Sequence, residues 1–264
     1  MAGAAILSGE GALRSGIGLL RIVTARGNET AVHASLPAAI VAPWPETADE
    51  TSAILETSDA LAIGPGLGSS RNSRELVERL LLAWSGPVVI DADAINIFSG
   101  DVLSLSQLLG GRPAVITPHP AELARLMSIE TSDIVSGRFD VGLELAAELG
   151  ACVLLKGSPT VIFAPSGERY VCASGTAALA TGGSGDVLTG IIGTLLAQMC
   201  TKDSACSPAE AVACAAFVHG RAAELCGVVR GTTLADVLDA MPAAWNESAE
   251  ARPHGVIAQL ASFA

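Results

Sequence analysis

Short apolar runs rich in β-branched residues alternate along this chain with longer stretches of helical periodicity, and that rhythm restricts the fold more than any other feature. Leu19–Thr24, Ala39–Val41, Ala60–Ile63, Val88–Asp91, Ala114–Thr117 and Cys152–Lys156 read as strands. Several are apolar throughout rather than alternating in polarity, as strands buried on both faces are. Helical segments lie between them. Ser70–Trp84 carries Leu76, Leu80 and Ala83/Trp84 on one side, with Arg71, Arg74, Glu75 and Glu78 mostly on the other, and Gly86-Pro87 stops it. Ser132–Leu149 reads as one helix closed by Gly150. The repetition predicts an α/β fold: a doubly wound, mostly parallel sheet with helices on both faces.

After Lys156 the pattern changes. Thr160–Ala164, the turn Pro165–Glu168 and Arg169–Cys172 predict one antiparallel hairpin. A glycine-rich loop, Ala180-Thr-Gly-Gly-Ser-Gly-Asp186, then opens onto an apolar helix, Val187–Gln198. Pro208–Leu225 and Thr233–Ala244 predict two more helices. Half of the 264 residues are apolar and 16% are charged, enough for a substantial core and too little charge for a disordered chain. No repeat or linker interrupts it, so residues 1–264 are expected to form a single domain.

Charge and cysteine usage narrow the function. Fifteen Lys+Arg against 27 Asp+Glu leave a net charge of −12, with no Lys/Arg run. Such a surface repels polyphosphate, which excludes nucleic acid and anionic membranes as partners. The longest nearly uncharged helical stretch, Val187–Cys200, falls short of the roughly 20 residues a bilayer span needs. No basic leader precedes the first apolar residues, and six cysteines form no C-x-x-C pair, so a cytoplasmic location with reduced thiols is expected. His33, His119, His219 and His254 have no zinc spacing, and no residue is singled out as a metal ligand. His219, in an Ala-rich helix, reads as a core or interface histidine; His33 and His254 read as surface residues.

The residues suited to chemistry gather at strand ends. Glycines ahead of a helix leave backbone N–H groups free to converge on an anion, and the helix dipole adds positive charge there. Thr181-Gly-Gly-Ser-Gly-Asp186 has this form, with Gly183, Ser184 and Gly185 as anion-binding amides and Asp186 as a general base, or else as a first-turn acid. No Lys follows the glycines, so it is not a Walker-A loop. Gly64-Pro-Gly-Leu-Gly68 ends a strand but lacks the third glycine of a dinucleotide fingerprint. Asp91 and Asp93 either face Mg²⁺ or phosphates through water, or cap the next helix. His119, between two prolines, is held in a loop where it can meet a ligand, and Glu122 is equally a first-turn acid. Lys156 is one of only two lysines, able to pair with phosphate or to lie on the surface.

In this order, Gly64-Pro-Gly-Leu-Gly68, Ile90-Asp-Ala-Asp-Ala-Ile-Asn96, Thr117-Pro-His-Pro-Ala-Glu122, Leu155-Lys-Gly and Ala180-Thr-Gly-Gly-Ser-Gly-Asp-Val-Leu-Thr-Gly190 resemble the ADP/ATP-dependent NAD(P)H-hydrate dehydratase family, a branch of the ribokinase-like fold. The resemblance runs from about Gly3 to Trp245 and is most specific in the combination of Thr-Pro-His-Pro with Gly-Gly-Ser-Gly-Asp. It implies repair of hydrated NADH or NADPH by phosphorylation of the ring hydroxyl from ADP or ATP, with Mg²⁺, followed by loss of phosphate. It implies that Ala4, Gly66, His119 and Asp186 contact the hydrated dinucleotide. It further implies that Lys156, Gly157, Ser158, Pro159, Thr160 and Gly185 contact the nucleotide, and that the protein is a homo-tetramer served by a separate epimerase. Family members usually carry a further strand and glycine-rich turn ahead of the segment matching Met1–Ala5, so either the true start lies upstream or the sheet lacks that first strand. Two rival readings keep the fold: a kinase of a small hydroxymethyl compound, and a non-catalytic nucleotide-binding homologue.

Overall fold

The computed structural model describes residues 1–200, 206–249 and 257–260. Helix α1 (Ala2–Leu13) leads into β1 (Arg21–Thr24), α2 (Glu29–Ser35), β2 (Ile40–Pro43) and α3 (Ala48–Leu55). Next come β3 (Leu61–Ile63), α4 (Arg71–Ala83), β4 (Val88–Ile90), α5 (Asp93–Asn96), α6 (Val102–Leu109) and β5 (Ala114–Ile116). Helices α7 (Pro120–Met127), α8 (Thr131–Ser136) and α9 (Leu143–Leu149) precede β6 (Cys152–Leu155) and the hairpin β7 (Thr160–Phe163) and β8 (Arg169–Cys172). A 3₁₀ turn at Ala177–Leu179, α10 (Ser184–Met199), α11 (Pro208–Leu225), α12 (Leu234–Ala249) and β9 (Ile257–Leu260) complete the described elements.

The main sheet runs β3-β4-β5-β6-β7-β8-β9, parallel from β3 to β6 and antiparallel beyond. Its residues alternate between two cores, as a period of two requires. Val89, Val115, Leu154 and Ile162 pack with α10, α11 and α12, while Ile90, Ile116, Val153 and Phe163 pack with α4, α6, α7 and α9. Burial on both faces is why these strands read as unbroken apolar runs. The α/β architecture and the single hairpin agree with the sequence reading.

The strands β1 and β2 form a separate parallel pair. Ile40 and Trp44 donate to Leu20 and Thr24, so the backbone groups of Arg21 and Val23 face away from β2. By the same parity, Leu61 and Ile63 serve β4, and Ala60 and Ala62 face the other way. The strands β1 and β3 do not pair; they wall a cavity of about 430 Å³ whose lining includes Ser8, Ile22, Ala60, Leu80, Thr194 and Ala197.

Four details depart from the sequence reading. Ser132–Leu149 is two helices, because Gly137 ends α8 and Gly142 lies flat against the Phe163 ring, where a Cβ would not fit. Helix α10 begins at Ser184, taking Asp186 into its first turn. Helix α12 runs past Ala244 to Ala249, with Trp245 Nε1 donating to Arg14 O at 3.1 Å. Helix α1 escapes a propensity argument, since Gly3, Gly9 and Gly11 each disfavour a helix. Packing decides: Gly11 abuts the Val187 carbonyl and Gly190 abuts the Ser8 backbone, so α1 and α10 meet backbone to backbone. Among the described residues no helix is long and apolar enough to cross a membrane. No disulfide forms among the described residues, and burial pushes the Cys152 thiol up to about 12.

Candidate active site

Because β3 to β6 are parallel neighbours, their C-terminal ends share one edge of the sheet, where open α/β folds place ligands. Immediately beyond these ends stand Gly64, Asp91, Thr117–His119 and Lys156. Gly64 has φ +130°, and a side chain there would collide with the Asp91 carbonyl. The loop then passes Gly66, whose carbonyl accepts from the Met1 amino group beside Ala4, itself 8% exposed. Gly68 N–H donates to Asp93 Oδ2 at 2.7 Å.

A buried carboxylate organises the centre. The Asp91 side chain is 1% exposed; its Oδ1 accepts from Lys156 Nζ at 2.8 Å, and its Oδ2 accepts from Thr189 Oγ1 at 2.6 Å. Glu122 Oε2 lies 3.7 Å from the same ammonium and accepts from His119 N–H at 2.8 Å. His119 caps α7: its Nδ1 accepts from the amides of Ala121 and Glu122 at 3.1 and 3.3 Å, with Pro120 in the first helical position. With Nδ1 accepting, the remaining proton belongs on Nε2, 3.4 Å from Glu122 Oε1. Burial lowers the His119 pKa, with Glu122 opposing, so the ring is neutral at pH 7.

The glycine loop closes over this cluster. Gly183 caps α10 at φ +92°, a backbone conformation that favours glycine, with the tip of the Leu7 side chain directly beneath. Among the described residues, no protein acceptor takes the N–H of Gly183, Gly185 or Asp186. Ser184 differs from the sequence expectation: its amide already donates to Thr181 O at 3.4 Å, and its hydroxyl lies 3.5 Å from His219 Nε2. The free donors are thus Gly183, Gly185 and Asp186, at the positive end of a 16-residue helix. Lys156 Nζ sits 3.3 Å from where a Cβ on Gly185 would be, so the ammonium reaches this loop as well. Asp186 is pushed up to about 6, chiefly by burial and then by the negative charge of Asp91, with Lys156 pulling it down and Asp93 and Glu122 adding to the rise. A carboxylate titrating there is a base suited to near-neutral pH.

The Lys156–Thr160 segment turns at the end of β6. Arg138 supports it from the turn between α8 and α9, donating to Pro159 O at 3.0 Å and to Lys156 O at 3.4 Å, with its guanidinium against Gly157. The fold therefore brings Ala4, Gly66, His119, Lys156, Gly183, Gly185 and Asp186 to one edge. His219 is buried beneath the loop, its pKa lowered to about 4, and His33 is exposed on α2. His254 and Lys202 lie outside the described residues.

A sequence profile of the NAD(P)H-hydrate dehydratase family matches residues 1–242. The chain belongs to that family. Among its relatives, the ADP-dependent (S)-NAD(P)H-hydrate dehydratase of Neisseria meningitidis is 38% identical over 236 residues, covering 85% of this chain and 73% of that protein. The bifunctional NAD(P)H-hydrate repair enzyme of Moorella thermoacetica is 36% identical over 92% of this chain, which spans 46% of that longer protein. The ADP/ATP-dependent NAD(P)H-hydrate dehydratase of Bacillus subtilis, crystallised with ATP and Mg²⁺ and soaked with CoA, superposes with a TM-score of 0.77 at 32% identity, covering 94% of this chain and 87% of the other. The fold of this dehydratase family member is ribokinase-like.

Thr189 and Arg138 escaped the sequence reading. Thr189 lies one helical turn beyond Gly185, a spacing that places it on the cluster's face. Arg138 had no such signal, since it fell within the single helix expected over Ser132–Leu149.

Proposed function

We propose that this chain repairs hydrated NADH or NADPH by phosphoryl transfer from ADP or ATP, followed by elimination of phosphate. The observation that carries the reading is Asp186. A half-buried carboxylate with a raised pKa adjoins amides that no group among the described residues accepts from, in a chain whose family acts on these hydrates. Phosphoryl transfer needs positioning and charge neutralisation more than covalent help from the protein. The N–H groups of Gly183, Gly185 and Asp186, with Lys156, hold the transferring phosphoryl. Asp186 takes the proton of the ring hydroxyl as its oxygen attacks phosphorus. The bond from phosphorus to the donor's bridging oxygen breaks, releasing AMP from ADP or ADP from ATP. The ring nitrogen then pushes its lone pair toward the phosphorylated carbon, the C–O bond breaks, phosphate departs, and loss of a proton from the adjacent ring carbon restores the double bond.

In this reading Ala4, Gly66 and His119 line the dinucleotide side, and Gly157, Ser158, Pro159 and Thr160 the nucleotide side with Lys156. Among the described residues no group of three His, Cys, Asp or Glu is arranged to hold a metal. Asp91 is taken up by Lys156 and Thr189, and Asp93 by Gly68. The residues present thus do not fit a resident Mg²⁺ site; an ion arriving with the donor takes its ligands from phosphate and water, as Mg²⁺ usually does, and no step here runs through it.

The deciding experiment follows recovery of NADH absorbance from hydrated NADH with ADP or ATP, beside release of AMP or ADP. Turnover of a hydroxymethyl alcohol with none of the hydrate would favour the kinase reading instead. ADP raising Tm without any turnover would favour the binding homologue.

Four finer points belong to the same proposal. An enzyme specific for one hydrate epimer, as the (S) in the Neisseria relative's name states of that protein, needs the other epimer converted, so a separate epimerase is the implied partner. The buried thiols of Cys152 and Cys172 support a reducing, cytoplasmic setting. The homo-tetramer rests on the resemblance and is checked by light scattering. Residues 1–264 are read as one ribokinase-like domain in which no described strand lies between β1 and β3. The cavity walled by β1 and β3, with the backbone groups of Arg21, Val23, Ala60 and Ala62 turned toward it, supports that reading. A strand and glycine turn encoded in frame ahead of Met1 would supply a strand for that gap.

A further inference from the structure

Burying a charged pair gains little stability, because the desolvation penalty offsets most of the attraction. The Asp91–Lys156 pair is accordingly better explained by what it orients than by what it stabilises. Asp91 follows β4, Lys156 follows β6 and Thr189 lies on α10, so one carboxylate ties two strand ends to the helix carrying the anion loop. Both of its oxygens are engaged at 2.8 and 2.6 Å, and at 1% exposure the side chain has no route to substrate. Its acceptor capacity is spent inward, which distinguishes it from Asp186 on the first turn of the same helix.

We propose that Asp91 is a positioning residue that holds the Lys156 ammonium against the glycine loop and locks α10 in register, so that loop, ammonium and Asp186 meet the phosphoryl group as one preformed unit. This rests on the phosphoryl-transfer reading above. The electrostatic surroundings of Asp186 point the same way. Facing it are Asp91 from the end of β4, Asp93 from α5, Glu122 from α7 and Lys156 from the end of β6. Three of these are negative, and Lys156, their one positive companion, is the group Asp91 restrains.

The test compares Asp91→Asn, Thr189→Val, Lys156→Met and the double variant Asp91→Asn/Lys156→Met with the intact protein. Asp91→Asn keeps the side chain's size and removes its charge; Thr189→Val removes only one tether, in case the first variant does not fold. Asp91→Asn is expected to lower kcat/KM by roughly 10–10², the usual cost of a small misplacement. It should raise KM for ADP through Lys156 and move the acid limb of the pH profile to lower pH. The double variant should be no worse than Lys156→Met alone. Three results would overturn the inference: losses that add in the double variant, an acid limb that stays in place, or variants of Asp91 and Thr189 that lose only Tm. If the intact protein itself turns over no hydrate, the functional reading fails instead, and ADP binding measured by calorimetry separates that case from misplacement.

Discussion

Two regions at the edge of the sheet contrast sharply. The space between β1 and β3, about 430 Å³, is lined mainly by apolar side chains and strand backbone. The edge beyond β4 to β6 has instead a tight cluster of Asp91, Glu122, Lys156 and Asp186 beneath amides that meet no acceptor among the described residues. Room alone confers no chemistry. Ionisable groups are expensive to desolvate, so a cluster of four that folding has drawn together marks where charge must be handled. The two regions adjoin at Gly64 and Gly66, which line the apolar space as well; in the proposed reading the polar edge is where the reaction is handled.

If that contrast is right, changes at the two regions diverge in size. The largest effect is expected from Asp186→Asn, which should cut turnover by roughly 10²–10⁴ while ADP still binds by calorimetry. Undiminished turnover would remove Asp186 from the mechanism. Gly183→Ala comes next: it forces a left-handed backbone and a contact with Leu7, and should cost about 10²-fold in kcat, the scale of one lost oxyanion donor. A loss confined to Tm would deny the loop its role.

The pH profile sharpens the comparison further. Asp186 must be ionised to act as a base, so the rate should fall as pH drops through about 6 and level off above it. A limb near the ordinary carboxylate value would contradict the burial argument. The same shift has a sign for stability. Because folding raises this pKa, the folded state gains from protonation, and that gain is lost as pH rises through about 6. Asp186→Asn should therefore raise Tm by about 2–4 °C at pH 8 and by less at pH 4, as thermal scans at both values would reveal. The smallest effect is expected in the apolar space. Ala197→Leu, roughly 16 Å along α10 from Asp186, should leave kcat/KM within about twofold; a larger loss would mean the two regions are not separate.

Much of this was legible beforehand, for identifiable reasons. The runs Val88–Asp91 and Cys152–Lys156 announced strands because burial on both faces leaves no charged position ahead of the residue that ends each of them. Asp186 stood out because glycines before a helix have few other uses, and Gly183 now has the φ and the crowding that explain one of them. Asp91 reads in sequence as facing Mg²⁺ or phosphate, or as a helix cap; the fold bonds its carboxylate to Lys156 and Thr189 instead of to the amides of the next helix. Its partner Thr189 is 98 positions away, a separation no local pattern bridges. Arg138 was hidden by a helix that Gly137 and Gly142 divide, because the Phe163 ring that enforces the division arrives from another strand. Helix α1 was hidden by its own glycines, which weaken a helix alone and permit its closest packing on α10.

Sequence alone determined the architecture, the strand-end placement of the chemistry and the anion loop, since all three follow from hydrophobic period and glycine position over short spans. Tertiary structure decided which amides meet no acceptor among the described residues, which carboxylate has its pKa raised and which is bonded to Lys156 and Thr189, and that β1 stands apart from β3. Proton affinity and hydrogen-bond partnership depend on groups that only folding brings within 4 Å, and no periodicity along the chain encodes that distance.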